Sequence, residues 1–181
     1  LPLYTGNLVT AGGAITMLAG QDITLPRTVR AFTGLISLTS TSGNVYAQQV
    51  DADGNDVHIL ASKGSIFEYG SDADADVEAI NQRLQAGGGI GASDNFLEID
   101  SSNPSTGTLW AQAGDAIFIA ETLGDLNLDS VTSTGSNVDL TVQSGDLVDW
   151  FADSLADVQG NALSFIASGA LGSFFNDVEI D

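Results

Sequence analysis

Three aspartates at alternate positions, Asp72, Asp74 and Asp76, form the chain's densest run of potential ligands. On an extended backbone alternate side chains share a face. Like charges on one face invite a hard cation with oxygen ligands, and calcium is the expected one. The spacing is not that of an EF-hand loop. Counted from Asp72, Val77 stands where the turn glycine is needed and Arg83 where the bidentate glutamate is needed. Asp51-Ala52-Asp53-Gly54-Asn55-Asp56 departs similarly, its glycine coming two residues early. The competing reading is a solvated acidic edge. No cofactor is required by the sequence, and calcium is the one it allows for.

Other residues with chemical potential are few. Glu98 and Asp100 alternate with Leu97 and Ile99, so they are expected to point outward from a half-buried strand. Paired carboxylates can cleave sugars, but the basic residues such lyases commonly use are limited to Arg27, Arg30, Lys63 and Arg83. His58 is the lone histidine, and no nucleophile-elbow pattern surrounds any serine. No catalytic residue is assigned, and the chain is read as a non-enzyme. Tyr69 and Trp150 could stack on sugar rings; a buried stack along a core is the alternative for both. Trp110 is expected in the core.

Asp and Glu number 24 against four Lys and Arg, for a net charge of −20. That field repels nucleic acid, and four scattered cations cannot neutralise a phosphate track. Anionic membrane surfaces are disfavoured for the same reason. No apolar run approaches the roughly 18 residues of a spanning helix, so no membrane insertion is expected. Cysteine is absent, which removes disulfides and thiolate metal sites.

These residues are held by a repeat. Residues 43–100 align without a gap on residues 124–181, an offset of 81. About 16 of roughly 58 positions are identical, several times chance. They include Gly43/Gly124, Gly64/Gly145, Asp76/Asp157, Glu98/Glu179 and Asp100/Asp181. Between the glycines run short alternating apolar stretches, such as Leu35–Leu38, Val57–Leu60 and Ile66–Phe67. Turn sequences such as Asp53-Gly54-Asn55 join them, which reads as many short strands. Residues 74–86 carry helical spacing, but their second copy has Gly160-Asn161 in the middle, so strand–turn–strand is expected in both, with a short helix inserted in the first copy as the alternative. A gapless repeat of short strands favours an all-β solenoid, stacked in register. The 81-residue unit is expected to make three coils of about 27 residues. Residues 1–30 are read as leading coils, 31–111 as a first unit and 112–181 as a second, in one continuous solenoid.

The segment Ala86-Gly87-Gly88-Gly89-Ile90-Gly91, followed by Asn95-Phe96-Leu97-Glu98-Ile99-Asp100, resembles the repeats of filamentous-haemagglutinin-like large bacterial exoproteins and adhesins. Gly124–Val131 and Val138–Val148 are similar to their strand–turn units. The resemblance covers roughly residues 30–181. It implies a right-handed parallel β-helix, secreted and lying outside the cell or on the bacterial surface. It also implies a structural or adhesive role within a larger surface protein or filament. Expected partners are neighbouring solenoid segments, copies of the chain itself, and cell-surface glycans. A carbohydrate-binding or carbohydrate-cleaving β-helix is the alternative.

Overall fold

The structure is a computed structural model that describes residues 1–181 apart from 11, 103–105, 152, 174 and 175. The described residues contain strands and no helix. In chain order they are β1 (Leu3–Tyr4), β2 (Leu8–Thr10), β3 (Ile15–Ala19), β4 (Ile23–Ala31), β5 (Ile36–Ser40), β6 (Val45–Asp51), β7 (Val57–Ala61), β8 (Ile66–Glu68) and β9 (Val77–Glu78). They continue with β10 (Gln82–Ala86), β11 (Leu97–Asp100), β12 (Leu109–Ala113), β13 (Ile117–Glu121), β14 (Leu126–Ser133), β15 (Val138–Val142), β16 (Leu147–Asp149), β17 (Val158–Gln159) and β18 (Leu163–Ala167). Strand–turn–strand is thus what residues 77–86 adopt, as their glycine-containing second copy requires.

Apart from β1/β2, β8/β9 and β16/β17, whose members share a sheet, successive strands fall alternately into two parallel sheets. The first runs β1-β4-β6-β9-β11-β13-β15-β18, with β2 beside β4 and β8 beside β6. The second runs β3-β5-β7-β10-β12-β14-β16, with β17 beside β14. One strand in each sheet makes a coil, and about eight coils stack into a β-solenoid. Alternation within each strand sends Ile, Leu, Val and Ala inward. Ile36, Leu38, Ile59, Leu84, Leu97, Ile99 and Leu109 are fully buried in a single core running through the stack.

The coils are shorter than the expected one-third of a repeat unit. Ile15, Ile36 and Val57 are stacked partners, as are Ile117 and Val138, which makes the regular coil a ~21-residue turn. Longer steps, such as Gln82 to Leu109, occur where a loop is let out of the coil. The repeat therefore does not contain a whole number of coils. Ile36 belongs to the second sheet, but its counterpart Ile117 belongs to the first. Between β5 and β13 the chain makes three and a half coils rather than three. The difference has a simple physical cause: an internal repeat reports which positions share an environment, and the two sheets offer nearly the same one.

Close coil stacking explains the recurring glycines. Gly43, Gly64 and Gly88 lie one above another, and a Cβ on Gly64 would run into the Gly43 carbonyl. The same column recurs in the second unit as Gly124, Gly145 and Gly169.

Candidate metal centre

The strand of the first sheet that follows β7 is interrupted. β8 pairs with the first half of β6, and β9 pairs with the second half. Residues 69–76 leave the coil between them. In the next coil Ile90 bridges to Ile66 and Ile117, whereas Leu97 pairs with Ile119, so residues 91–96 also leave the coil. The two loops are neighbours: the Asn95 side-chain amide donates to the Gly70 carbonyl. Glu68 and Asp76 stand at the two ends of the first loop, and Glu98 follows the second.

These three carboxylates converge. Ligand oxygens of Glu68, Asp76 and Glu98 all lie within 4.8 Å of one another. The residues are buried, at 5 %, 1 % and 9 % exposure. Glu68 and Asp76 each divide their oxygens between two tasks. Glu68 Oε1 accepts the Asp72 N–H at 2.9 Å, and Asp76 Oδ2 accepts the Glu98 N–H at 3.1 Å. The Asp76 N–H in turn donates to the Glu98 carbonyl at 2.8 Å. Meanwhile Glu68 Oε2, Asp76 Oδ1 and Glu98 Oε2 are buried without any hydrogen-bond donor.

The arrangement recurs in the second unit. Asp149, Asp157 and Glu179, the counterparts of these three at the repeat offset, converge within the same 4.8 Å. Asp149 Oδ1 accepts the Phe151 N–H, and Asp157 Oδ2 accepts the Glu179 N–H. Asp149 Oδ2 and Glu179 Oε2 are again buried and unpartnered. This trio is built on β16 and β17, so it belongs to the opposite sheet.

The electrostatics follow from this packing. Burial, then the neighbouring Glu68 charge, pushes the Asp76 carboxyl up to about 9. The same two causes raise Glu98 to about 7. Burial also raises Asp157 to about 7, against the lowering effect of its bond from Glu179. The ion pairs among the described residues join Arg30 to Asp51 and Asp53, away from both trios. Three converging acceptors without a donor can be satisfied by protons or by a cation. Their oxygen-only chemistry suits a hard divalent ion. Three protein carboxylates close enough to share one ion suit calcium, which takes six to eight oxygens, better than magnesium, which usually keeps several waters and takes one or two carboxylates.

Of the alternating aspartates, only Asp76 enters a trio. Residues 71–76 form a loop, not an extended strand, so the three side chains are not aligned on one face. Asp72 and Asp74 are exposed, and the Oδ1 of Asp72 accepts the Asp74 N–H to shape the loop. Asp153 does the same for Leu155. Glu98 and Asp100 do alternate with core residues, yet they are covered rather than solvated. Ser71, Asp72, Ser93, Asp94 and Asn95 rim a hollow over Glu98, and Asp100 is 6 % exposed. Glu68 is a residue that sequence reasoning misses. The one signal for it is its replacement by another acid, Asp149, at the repeat offset.

Tyr69 and Trp150 are exposed, but they extend strands of opposite sheets: the Tyr69 N–H donates to Ala47, and the Trp150 N–H donates to Leu128. Trp110 is not in the core. It faces outward from β12, in a row that runs Ser37, His58, Arg83, Trp110, Ser130 across the second sheet. The Arg83 guanidinium lies 3.6 Å from the centre of its ring. No family model, curated protein or solved structure matches this chain.

Proposed function

We propose that this chain is a structural, adhesive segment of a large secreted bacterial surface protein, acting as a rigid spacer and not as an enzyme. The observation that carries this reading is the unbroken parallel stack from β4 to β18. Each coil contributes its apolar residues to one continuous core and its polar residues to the two outer faces. Such quasi-one-dimensional architecture gives length and an extended surface rather than a closed reaction chamber. A charge of −20 keeps the rod soluble and discourages nonspecific contact with polyanions.

The test is exposure on the producing cell. Antibodies raised against this chain should label intact bacteria, and external protease should remove the label. Labelling that requires permeabilised cells would overturn the reading. Purified chain immobilised on beads should then retain host cells or glycans if the role is adhesive.

The carbohydrate reading is favoured by one specific feature, the outward row of His58, Arg83 and Trp110. A guanidinium lying over an indole, with the Gln85 and Gln112 amides on the same face, offers hydrogen-bond donors next to an aromatic side chain, the usual material of sugar recognition. Tyr69 and Trp150, on opposite sheets, cannot share one short glycan. On a glycan array, Trp110→Ala should abolish retention if this reading holds; retention unchanged by Trp110→Ala would remove it.

A further inference from the structure

We propose that each repeat unit binds one calcium ion, through Glu68, Asp76 and Glu98 in the first and Asp149, Asp157 and Glu179 in the second. The ion fastens the base of the loop that each unit lets out of its coil. The inference stands apart from the surface role argued above, because it rests only on side-chain geometry.

Three observations carry it. The first is the unpartnered oxygens. Glu68 Oε2, Asp76 Oδ1 and Glu98 Oε2 are buried with no donor, in residues at least nine-tenths buried whose carboxylates converge to within 4.8 Å. Leaving buried acceptors unsatisfied is costly, so a native site of this kind calls for a partner. The second is orientation. In the two acids at the loop ends the other oxygen is tied to a backbone N–H, of Asp72 and Glu98 in the first unit and of Phe151 and Glu179 in the second. Those bonds fix two of the three carboxylates of each trio in place, which is the preorganisation a ligand set needs.

The third is selective persistence across the repeat. Five acids of the first unit meet an acid at the repeat offset: Glu68, Asp72, Asp76, Glu98 and Asp100. All three trio members are among them, and Asp72 shapes the same loop. Acids outside this set drift, with Asp51 becoming Thr132, Asp53 becoming Thr134 and Asp74 becoming Leu155. An acidic surface kept only for solubility has no reason to hold these particular positions. Three carboxylates carry more charge than one divalent ion neutralises. Backbone carbonyls of the loops and water would complete the six to eight oxygens that calcium takes.

The chain carries its own reporters. Tyr69 adjoins Glu68, and Trp150 adjoins Asp149. Terbium, a calcium substitute, should therefore be sensitised by tyrosine at the first site. At the second it should respond to excitation at the red edge of the indole band, where tyrosine does not absorb. Equilibrium dialysis with calcium should find two ions per wild-type chain, one in Asp76→Asn, one in Asp157→Asn and none in the double variant. Asp157→Asn should lose the Trp-sensitised signal and keep the Tyr-sensitised one, and Asp76→Asn should do the reverse. Asp115→Asn and Asp139→Asn, which remove the same charge elsewhere on the surface, should keep both ions. Magnesium at equal concentration should leave the terbium signals in place. The proposal is overturned if the trio variants bind as much calcium as the surface controls. It is equally overturned if sodium chloride of matched ionic strength displaces the ion as well as calcium does. Because asparagine relieves like-charge repulsion at constant shape, the variants should fold, and an unchanged β-sheet circular dichroism spectrum checks this.

Discussion

Glu121 offers a test of the packing that does not involve either trio. It lies at the end of β13, in the column of Val50, Val77, Ile99 and Val142, and is fully buried. Its two oxygens accept the Ser101 N–H at 2.9 Å and the Ser101 hydroxyl at 2.7 Å. Burial outweighs these two bonds and pushes its carboxyl from 4.5 up to about 8. Folding therefore favours the protonated form. The stability this represents is fully present below about pH 4.5, falls as pH rises toward 8, and is gone above that. At about 1.4 kcal/mol per tenfold change in proton affinity, the loss is roughly 3–5 kcal/mol. In Glu121→Gln, the amide oxygen can still accept the Ser101 N–H, and its NH2 can donate to the Ser101 oxygen. The counterpart of Glu121 in the repeat is Ser40, neutral and fully buried, whose hydroxyl donates to the Gln21 carbonyl. The position therefore does not require a charge. Urea denaturation of both proteins at pH 5 and pH 9, in chelator and at fixed ionic strength, should show the variant gaining roughly 3–5 kcal/mol on the wild type across that interval. A constant separation between the two pH–stability curves would show that Glu121 takes up no proton on folding, and the reasoning would fail.

The remaining expectations follow from the same coil geometry. Gly64→Ala forces a methyl group against the Gly43 carbonyl and should cost about 1–3 kcal/mol. Gly6→Ala, with nothing within 4 Å of the added Cβ, should be close to neutral in the same melting assay. Ile99→Ala, at a fully buried site, should cost about 2–5 kcal/mol. Its repeat counterpart Ile180, 59 % exposed, should tolerate the same change to within about 0.5 kcal/mol; equal losses at both positions would refute the burial assignment. Finally, raising sodium chloride toward about 1 M in chelator should raise the melting temperature by screening the −20 charge. A flat salt response would show that self-repulsion does not limit stability.

The alternation of apolar residues makes the solenoid legible, because a buried inner face imposes period two wherever a coil is regular. Glycine spacing is legible for a related reason, since a stacked backbone leaves no room for Cβ at Gly64. The coil length is not. Inward residues of the two sheets are chemically alike, so Ile36 and Ile117 match although they face the core from opposite sides. The metal centre is half legible. Asp76 and Glu98 both stand out as persistent acids, but their contact depends on two loops leaving adjacent coils. Nothing in their linear spacing shows that they meet. Glu68 is obscured by following Ile66-Phe67 at an inward position, where an apolar residue is the ordinary occupant.

The half-coil repeat constrains what duplication can have preserved. Three and a half coils, at about 4.8 Å per coil, separate the two trios by roughly 17 Å along the axis and place them on opposite sheets. A surface that reads a ligand from one side needs its elements on one face, which requires a whole number of coils between copies. Such a surface gains nothing from this repeat, and its candidate residues are indeed not repeated: His58 becomes Asp139 and Arg83 becomes Ser164. A device that secures a loop to its own coil is indifferent to face. Four of the five persistent acids are of that local kind, Glu68/Asp149, Asp72/Asp153, Asp76/Asp157 and Glu98/Glu179, and so is Asn95/Asn176, whose amides bond Gly70 in one unit and Asp149 in the other. The repeat has thus kept the means of holding each loop while letting the outer faces diverge. Fastening is the property the duplication has kept, whereas the outward row of His58, Arg83 and Trp110 belongs to one unit alone.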